Sequence, residues 1–168
     1  MLKKLWLPGA LFLLCLPFLM PLAAQENASR SPSAFTEEYE VKIRGHIATL
    51  QQIMAGFDTL EKLDAVILSR ISADLDGVLN QLYYMSSIDN LVRQAVSRQS
   101  QDYAFLQYEV MLKFTVNTLQ NRANRVAQFR GSVRSPDLIS ALGGIQVDLN
   151  SLLADYNTVL SGVQSRGQ

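Results

Sequence analysis

The chain has 168 residues with 15 basic and 15 acidic side chains, so its formal net charge is zero at pH 7. This balance argues against nucleic acid as a partner, because nucleic-acid-binding domains carry a basic excess. The one cysteine, Cys15, and the one tryptophan, Trp6, both lie near the N-terminus, so the rest of the chain can form neither a disulfide nor a thiolate metal site.

The first 24 residues have the pattern of a secretory signal peptide. Lys3 and Lys4 form a positively charged start, residues 5–20 are mostly apolar, and the segment ends in small residues at Ala24. We therefore expect cleavage after Ala24 and export to the periplasm or out of the cell. The alternative is an uncleaved N-terminal anchor, because residues 5–24 are about long enough to cross a bilayer. We expect membrane contact only in that case, and prolines in the segment weaken it.

The segment after the signal peptide is predicted to be a flexible leader over the polar residues 25–35. A helical domain over residues 36–163 and a frayed tail at residues 164–168 follow. The first predicted helix begins at Thr36, a good N-cap, and runs to Met85 with apolar residues at intervals of three and four. Its second half turns a different face to the core, so the alternative is a break near Gly56, which could end a helix.

A second and a third helix follow along the chain. After a predicted turn at Ser86–Ser87, the second helix runs to Arg130, where Gly131 can end it. The third begins with Ser135 as N-cap and Pro136 at the first helical position. Its apolar seam is unbroken and consists of Leu138, Leu142, Ile145, Leu149, Leu152, Tyr156, Val159 and Val163.

The pattern therefore predicts an all-α fold. We expect an antiparallel bundle of three long helices, or of four if the first breaks near Gly56, with coiled-coil-like packing. At about 1.5 Å per residue, the three helices would be roughly 75, 64 and 42 Å long. The third helix is then too short to cover the tip where the first two meet.

Apolar and aromatic residues at this uncovered tip predict a partner-binding surface. Its members are Leu82, Tyr83, Tyr84, Met85, Ile88, Leu91 and Val92. The alternative is that a broken first helix folds over these residues as a fourth helix and buries them.

No group of residues indicates catalysis. His46 has no carboxylate three or four residues away on its helix, so we do not expect it to bind a metal. Glu61 and Asp64 share a helix face, which we interpret as solvated. We therefore predict a protein that is not an enzyme and needs no cofactor.

The densest basic group is a candidate site for an anionic partner. Its members are Arg122, Arg125, Arg130 and Arg134. The favoured alternative is that these arginines face neighbouring helices, because residues 36–90 and 135–168 are acidic on balance whereas residues 91–134 are basic.

The expected function is that of an exported structural or adaptor protein of the cell envelope. It would dock on another envelope protein, or on a second copy of itself, through the tip. The alternative is an extracytoplasmic holdase chaperone, or a small-ligand-binding bundle with a groove between its helices. Binding of hydrophobic dyes by a monomer would favour the alternative, whereas a stable co-purifying partner would favour the adaptor.

Overall fold

The computed structural model describes residues 30–56, 62–95 and 98–165, and every regular element within these ranges is a helix. The elements are α1 (Pro32–Gly56), α2 (Lys62–Gln94), α3 (Arg98–Arg130) and α4 (Pro136–Gln164). The predicted all-α bundle is confirmed, in its four-helix form. The predicted signal peptide at residues 1–24 and the first part of the predicted leader lie outside the described residues.

The four helices form an antiparallel bundle. Helix α1 packs against α2 and α4, and α3 packs against the same two neighbours. Tyr39 near the start of α1 donates a hydrogen bond to Asp155 near the end of α4, at 2.8 Å. Arg125 near the end of α3 pairs with Asp74 in the first half of α2. The chain therefore runs up, down, up and down around the bundle.

The first predicted helix is in fact two helices, because α1 ends at Gly56 and α2 begins at Lys62. The apolar stripe changes face between the two halves of this segment, and a single straight helix would leave one half in water. Two separately oriented helices can both turn their stripes inward, and Ile43 of α1 and Ile67 of α2 are buried. The continuous helix to residue 85 is therefore wrong.

Helix α2 continues through the serine pair that was predicted to form a turn. The Ser87 hydroxyl donates to the Tyr83 carbonyl oxygen at 2.9 Å, so it is satisfied inside the helix. The buried face of α2 continues from Met85 past the serines to Asp89 and Val92. The predicted turn is wrong, and α2 ends at Gln94.

Helix α1 begins at Pro32, four residues earlier than predicted. Proline suits this position because the first helical residue needs no intrahelical N–H donor. Phe35 is fully buried, edge-on to the rings of Tyr39 and Tyr156 at centroid distances of 5.8 and 5.1 Å. Thr36 is not the N-cap, since its hydroxyl donates to the Pro32 carbonyl at 2.6 Å. Residues 32–35 thus belong to the bundle rather than to the leader.

Helix α4 begins as the sequence predicts. The side chain of Ser135 caps the helix by accepting from the Leu138 N–H at 3.4 Å, and Pro136 is the first helical residue. The predicted seam is buried from Leu138 to Val159, and Val163 is partly buried.

Candidate functional site

The seven residues of the predicted tip lie within α2 and not at a hairpin tip. Leu82, Met85 and Val92 are buried in the core, and Ile88 is half-buried against it. The expected uncovered tip is wrong because the first segment divides into α1 and α2, which pack side by side. The exposed members are Tyr83, Tyr84 and Leu91. Their role in binding a partner stays a prediction.

The exposed members of this set point in two directions. Tyr83 turns toward α1, where its hydroxyl accepts a hydrogen bond from Arg44 Nη2 at 3.0 Å. Tyr84 and Leu91 are seven residues apart, two helical turns, and therefore share one face of α2. Tyr84 also lines a groove together with residues of α3, so this shared face is next to α3.

Helix α3 carries a row of apolar residues on its solvent side, which we call the α3 stripe. Its members, Tyr103, Leu106, Val110 and Phe114, are 50–68% exposed. At about 100° per residue they lie within about 80° of one another. Their direction is opposite that of the buried residues Tyr108, Leu112 and Leu119. The stripe therefore takes no part in the core, and apolar surface of this kind marks interaction sites.

In the sequence, the residues of the α3 stripe are mixed with the other apolar residues of the second predicted helix. A helical projection separates it, because the seam at Leu112, Leu119 and Val126 lies on the other side of the same helix. Together with Tyr84 and Leu91 of α2, the stripe forms what we call the α2–α3 face.

A groove of about 450 Å³ lies between α2 and α3 and joins this face. Tyr84, Met111 and Phe114 supply apolar and aromatic walls, and two threonines complete the α3 side. Gln81 of α2 and Arg122 of α3 are the long polar side chains in it. The volume lies within the range of about 300–1,000 Å³ typical of small-molecule sites.

Arg122 lies half-buried against the backbone of α2. A Cβ at Gly77 would lie 2.5 Å from Arg122 Nη2, so the missing side chain of Gly77 makes the space for the guanidinium. Arg122 Nη1 donates to Gln81 Oε1 over a long 3.5 Å. Burial lowers the pKa of Arg122, while the nearby carboxylate of Asp74 acts in the opposite sense.

The four arginines of the predicted anionic-partner site do not form one patch. Arg125 pairs with Asp74 of α2 at 3.2 Å. Arg130 lies toward α4, where its guanidinium carbon is 3.5 Å from the place a Cβ on Gly143 would occupy. Arg134 is exposed in the turn before α4. Arg122 is therefore the member of the four that lines a groove.

A second polar site surrounds the buried carboxylate of Asp89, which we call the Asp89 cluster. Oδ2 accepts from Ser33 Oγ at 2.8 Å and from Arg93 Nε at 3.0 Å. Oδ1 accepts from the Tyr108 hydroxyl at 3.0 Å. One side chain thus joins α1, α2 and α3, next to a cavity of about 170 Å³ that Gly162 of α4 also lines.

The hydrogen bonds of this cluster govern its protonation. Burial alone would raise the pKa of Asp89, but the bonds from Ser33, Arg93 and Tyr108 outweigh it and hold the pKa below its usual range. Burial and the same carboxylate raise the pKa of Tyr108. The pair is therefore a carboxylate and a neutral phenol at neutral pH, and its geometry supports a structural role.

We expect the Asp89→Asn variant to lower the free energy of unfolding at pH 7 by about 1.5–3 kcal/mol, the value of a hydrogen bond to a charged group. Because the folded-state pKa of Asp89 is lowered, its stabilisation is present above the unfolded value of about 3.9 and is lost as pH falls through the folded value. Urea denaturation at pH 7 and pH 3 should thus show a smaller difference from wild type at pH 3.

The control for this measurement is Asp102→Asn, which removes an exposed carboxylate from α3 and should change stability little at either pH. A difference between wild type and Asp89→Asn that stays constant from pH 7 to pH 3 would contradict the assignment of this carboxylate as a stabilising anion.

His46 is paired across the bundle. Its Nε2 lies 2.8 Å from Asp148 Oδ2 of α4, and Lys42 Nζ lies 3.8 Å from the other oxygen of the same carboxylate. A Cβ at Gly144 would lie 3.3 Å from His46 Cε1, so the glycine allows α1 and α4 to approach here. No local pattern of residues indicates this pair, since its members are 102 residues apart in the chain.

The described part of the chain holds no group of three or more His, Cys, Asp or Glu side chains suited to a metal ion. None of its helices combines the length and the apolar run that crossing a bilayer requires. Comparison of the chain with family models, curated proteins and solved structures gave no match.

Proposed function

We propose that this protein is an exported adaptor of the cell envelope that docks an amphipathic helix of another protein on its α2–α3 face. It acts by binding rather than by catalysis. The observation that carries this proposal is the α3 stripe, an exposed apolar row on the side of α3 that faces away from the core. Export is supported by the charged start, apolar stretch and small residues of the first 24 residues.

The spacing of the stripe favours a helical partner. Tyr103, Leu106, Val110 and Phe114 follow at intervals of three and four and extend over roughly 16 Å of helix. An amphipathic helix recognises such a row with its own residues at the same intervals. Aromatic residues such as Tyr103 and Phe114 are common anchors of protein interfaces.

Site-specific photo-crosslinking in the native cells tests this proposal. A photoreactive amino acid at Leu106 should give a discrete adduct, whereas the same group at Asn150, an exposed position on α4, should not. Intact mass of the uncoupled protein should correspond to a chain that begins at Gln25. A mass that retains Met1 would contradict cleavage and favour the anchor.

A double variant tests whether formation of the adduct depends on the α3 stripe. Replacing both Tyr103 and Phe114 with Ser should leave the melting temperature nearly unchanged, because both side chains are exposed. It should abolish the adduct from position 106, since each interface anchor contributes about 2 kcal/mol, on the order of 30-fold in affinity. An adduct that persists in this variant would contradict docking on the stripe. An adduct of twice the chain mass would show that the partner is a second copy of this chain and not another protein.

A further inference from the structure

The groove between α2 and α3 contains a positive charge that lacks a matching carboxylate among the described residues. Arg122 makes one long hydrogen bond, to the neutral Gln81. The nearest acidic group that acts on it is Asp74, and that carboxylate is already paired with Arg125 at 3.2 Å. Two guanidinium groups and one carboxylate leave a local charge of one positive unit beside the groove.

The walls of the groove are suited to an aliphatic chain. Met111 is packed partly against the core, and the rings of Phe114 and Tyr84 stand at the open side. A cation at one part of a mostly apolar groove matches a ligand that is apolar with one anionic group. Guanidinium pairs with carboxylate through two parallel hydrogen bonds, and a single surplus charge matches a monoanion.

We propose that this groove binds an aliphatic monocarboxylate, with Arg122 on the carboxylate and with Met111, Phe114 and Tyr84 along the chain. Gly77 is part of the site, because its missing side chain lets the guanidinium lie where it faces the groove. This ligand goes beyond the docking of a protein helix, since it occupies the space between two helices rather than the outer side of α3.

Calorimetric titration of the purified protein with dodecanoate, below its micelle-forming concentration, tests the proposal. Dodecanol is the matched neutral ligand. We expect dodecanoate to bind with a one-to-one stoichiometry and dodecanol to bind more weakly by at least about tenfold, because each hydrogen bond between the guanidinium and the carboxylate contributes about tenfold or more to the affinity.

Two variants test whether Arg122 supplies the positive charge that binds the carboxylate. Arg122→Met keeps an unbranched side chain and removes the charge, so it should weaken dodecanoate binding by about tenfold to a hundredfold and leave dodecanol binding unchanged. Arg130→Met is the control, because it removes the same charge from the same helix on the side toward α4. It should leave both affinities unchanged.

The Gly77→Ala variant separates binding from stability. The added methyl group must displace the Arg122 guanidinium, since the two would be 2.5 Å apart. We expect dodecanoate binding to weaken while the melting temperature rises, because alanine favours a helix over glycine. If Arg122→Met lowers the melting temperature, the Gly77→Ala variant alone decides whether the guanidinium binds dodecanoate.

Three results would overturn the proposal: no binding of dodecanoate, equal affinities for dodecanoate and dodecanol, or unchanged dodecanoate affinity in both Arg122→Met and Gly77→Ala. Each would leave the photo-crosslinking at Leu106 untouched, so failure of this inference is distinguishable from failure of the adaptor function.

Discussion

Replacing Leu149 with Asp is expected to unfold the protein or to lower its free energy of unfolding by at least about 4 kcal/mol. Leu149 is 1% exposed and lies in the middle of the buried seam of α4, which packs against both α1 and α3. An unpaired carboxylate at that position loses its hydration and gains no partner. Folded domains have about 5–15 kcal/mol of stability in total, so a loss of about 4 kcal/mol is a large fraction of it. Thermal and urea denaturation followed by circular dichroism measure it.

The control for Leu149→Asp is the neighbouring substitution Asn150→Asp. It introduces the same carboxylate one residue along, on the exposed side of α4, and should change the free energy of unfolding by no more than about 0.5 kcal/mol. Equal melting temperatures of the two variants would show that α4 does not pack through its seam.

The Phe35→Ala variant is expected to lower the free energy of unfolding by about 3–5 kcal/mol, the usual cost of removing a buried phenylalanine side chain. Phe35 is fully buried and contacts the rings of Tyr39 and Tyr156 edge-on. The substitution removes the apolar contact and leaves a cavity where α1 meets α4. Urea denaturation at neutral pH gives the value.

Ala34→Ser is the matched control for Phe35→Ala, because Ala34 is exposed in the same turn. It should have little effect on stability. If Phe35→Ala also costs less than about 1 kcal/mol, residues 32–35 do not contribute to the core, and the leader ends at Phe35 as the sequence pattern predicts.

Helix α4 was predictable because its signals are local. Ser135 and Pro136 stand next to each other at its start, and the seam from Leu138 onward repeats every three and four residues. A cap and a heptad pattern depend on residues within a few turns. No other part of the chain needs to be known for such an element, and the structure has it as predicted.

The boundary between α2 and α3 could not be found in this way. Two consecutive serines favour a turn. The next buried residue beyond them is Asp89, and a pattern of apolar residues does not include an aspartate. Asp89 is buried because Ser33 and Tyr108 donate to it from other helices. These partners are 56 and 19 residues away in the chain, so their effect appears only in three dimensions.

The candidate site depended on the same kind of information. The sequence identified Arg122 as basic and Tyr84 as an apolar surface candidate, but on different predicted helices and for different partners. The groove that joins them results from the alignment of α2 with α3, and the space for the guanidinium results from Gly77. A glycine has no apolar or charged side chain, so a pattern of such residues in the sequence could not reveal its contribution to the site.

An even number of antiparallel helices brings the two ends of the bundle's chain to one side. Ser31, just before α1, and Gly162, in the last turn of α4, line the same cavity. A tether at either end therefore loads the molecule from this side, and the turn at Gly131–Ser132 points away from it. Force applied between the two ends would peel α1 from α4 one contact at a time. The contact between Tyr39 and Asp155 would break before the contact between His46 and Asp148. The contacts between α1 and α4 would therefore break one after another, and not all at once as they would if the two helices were pulled past each other along their length.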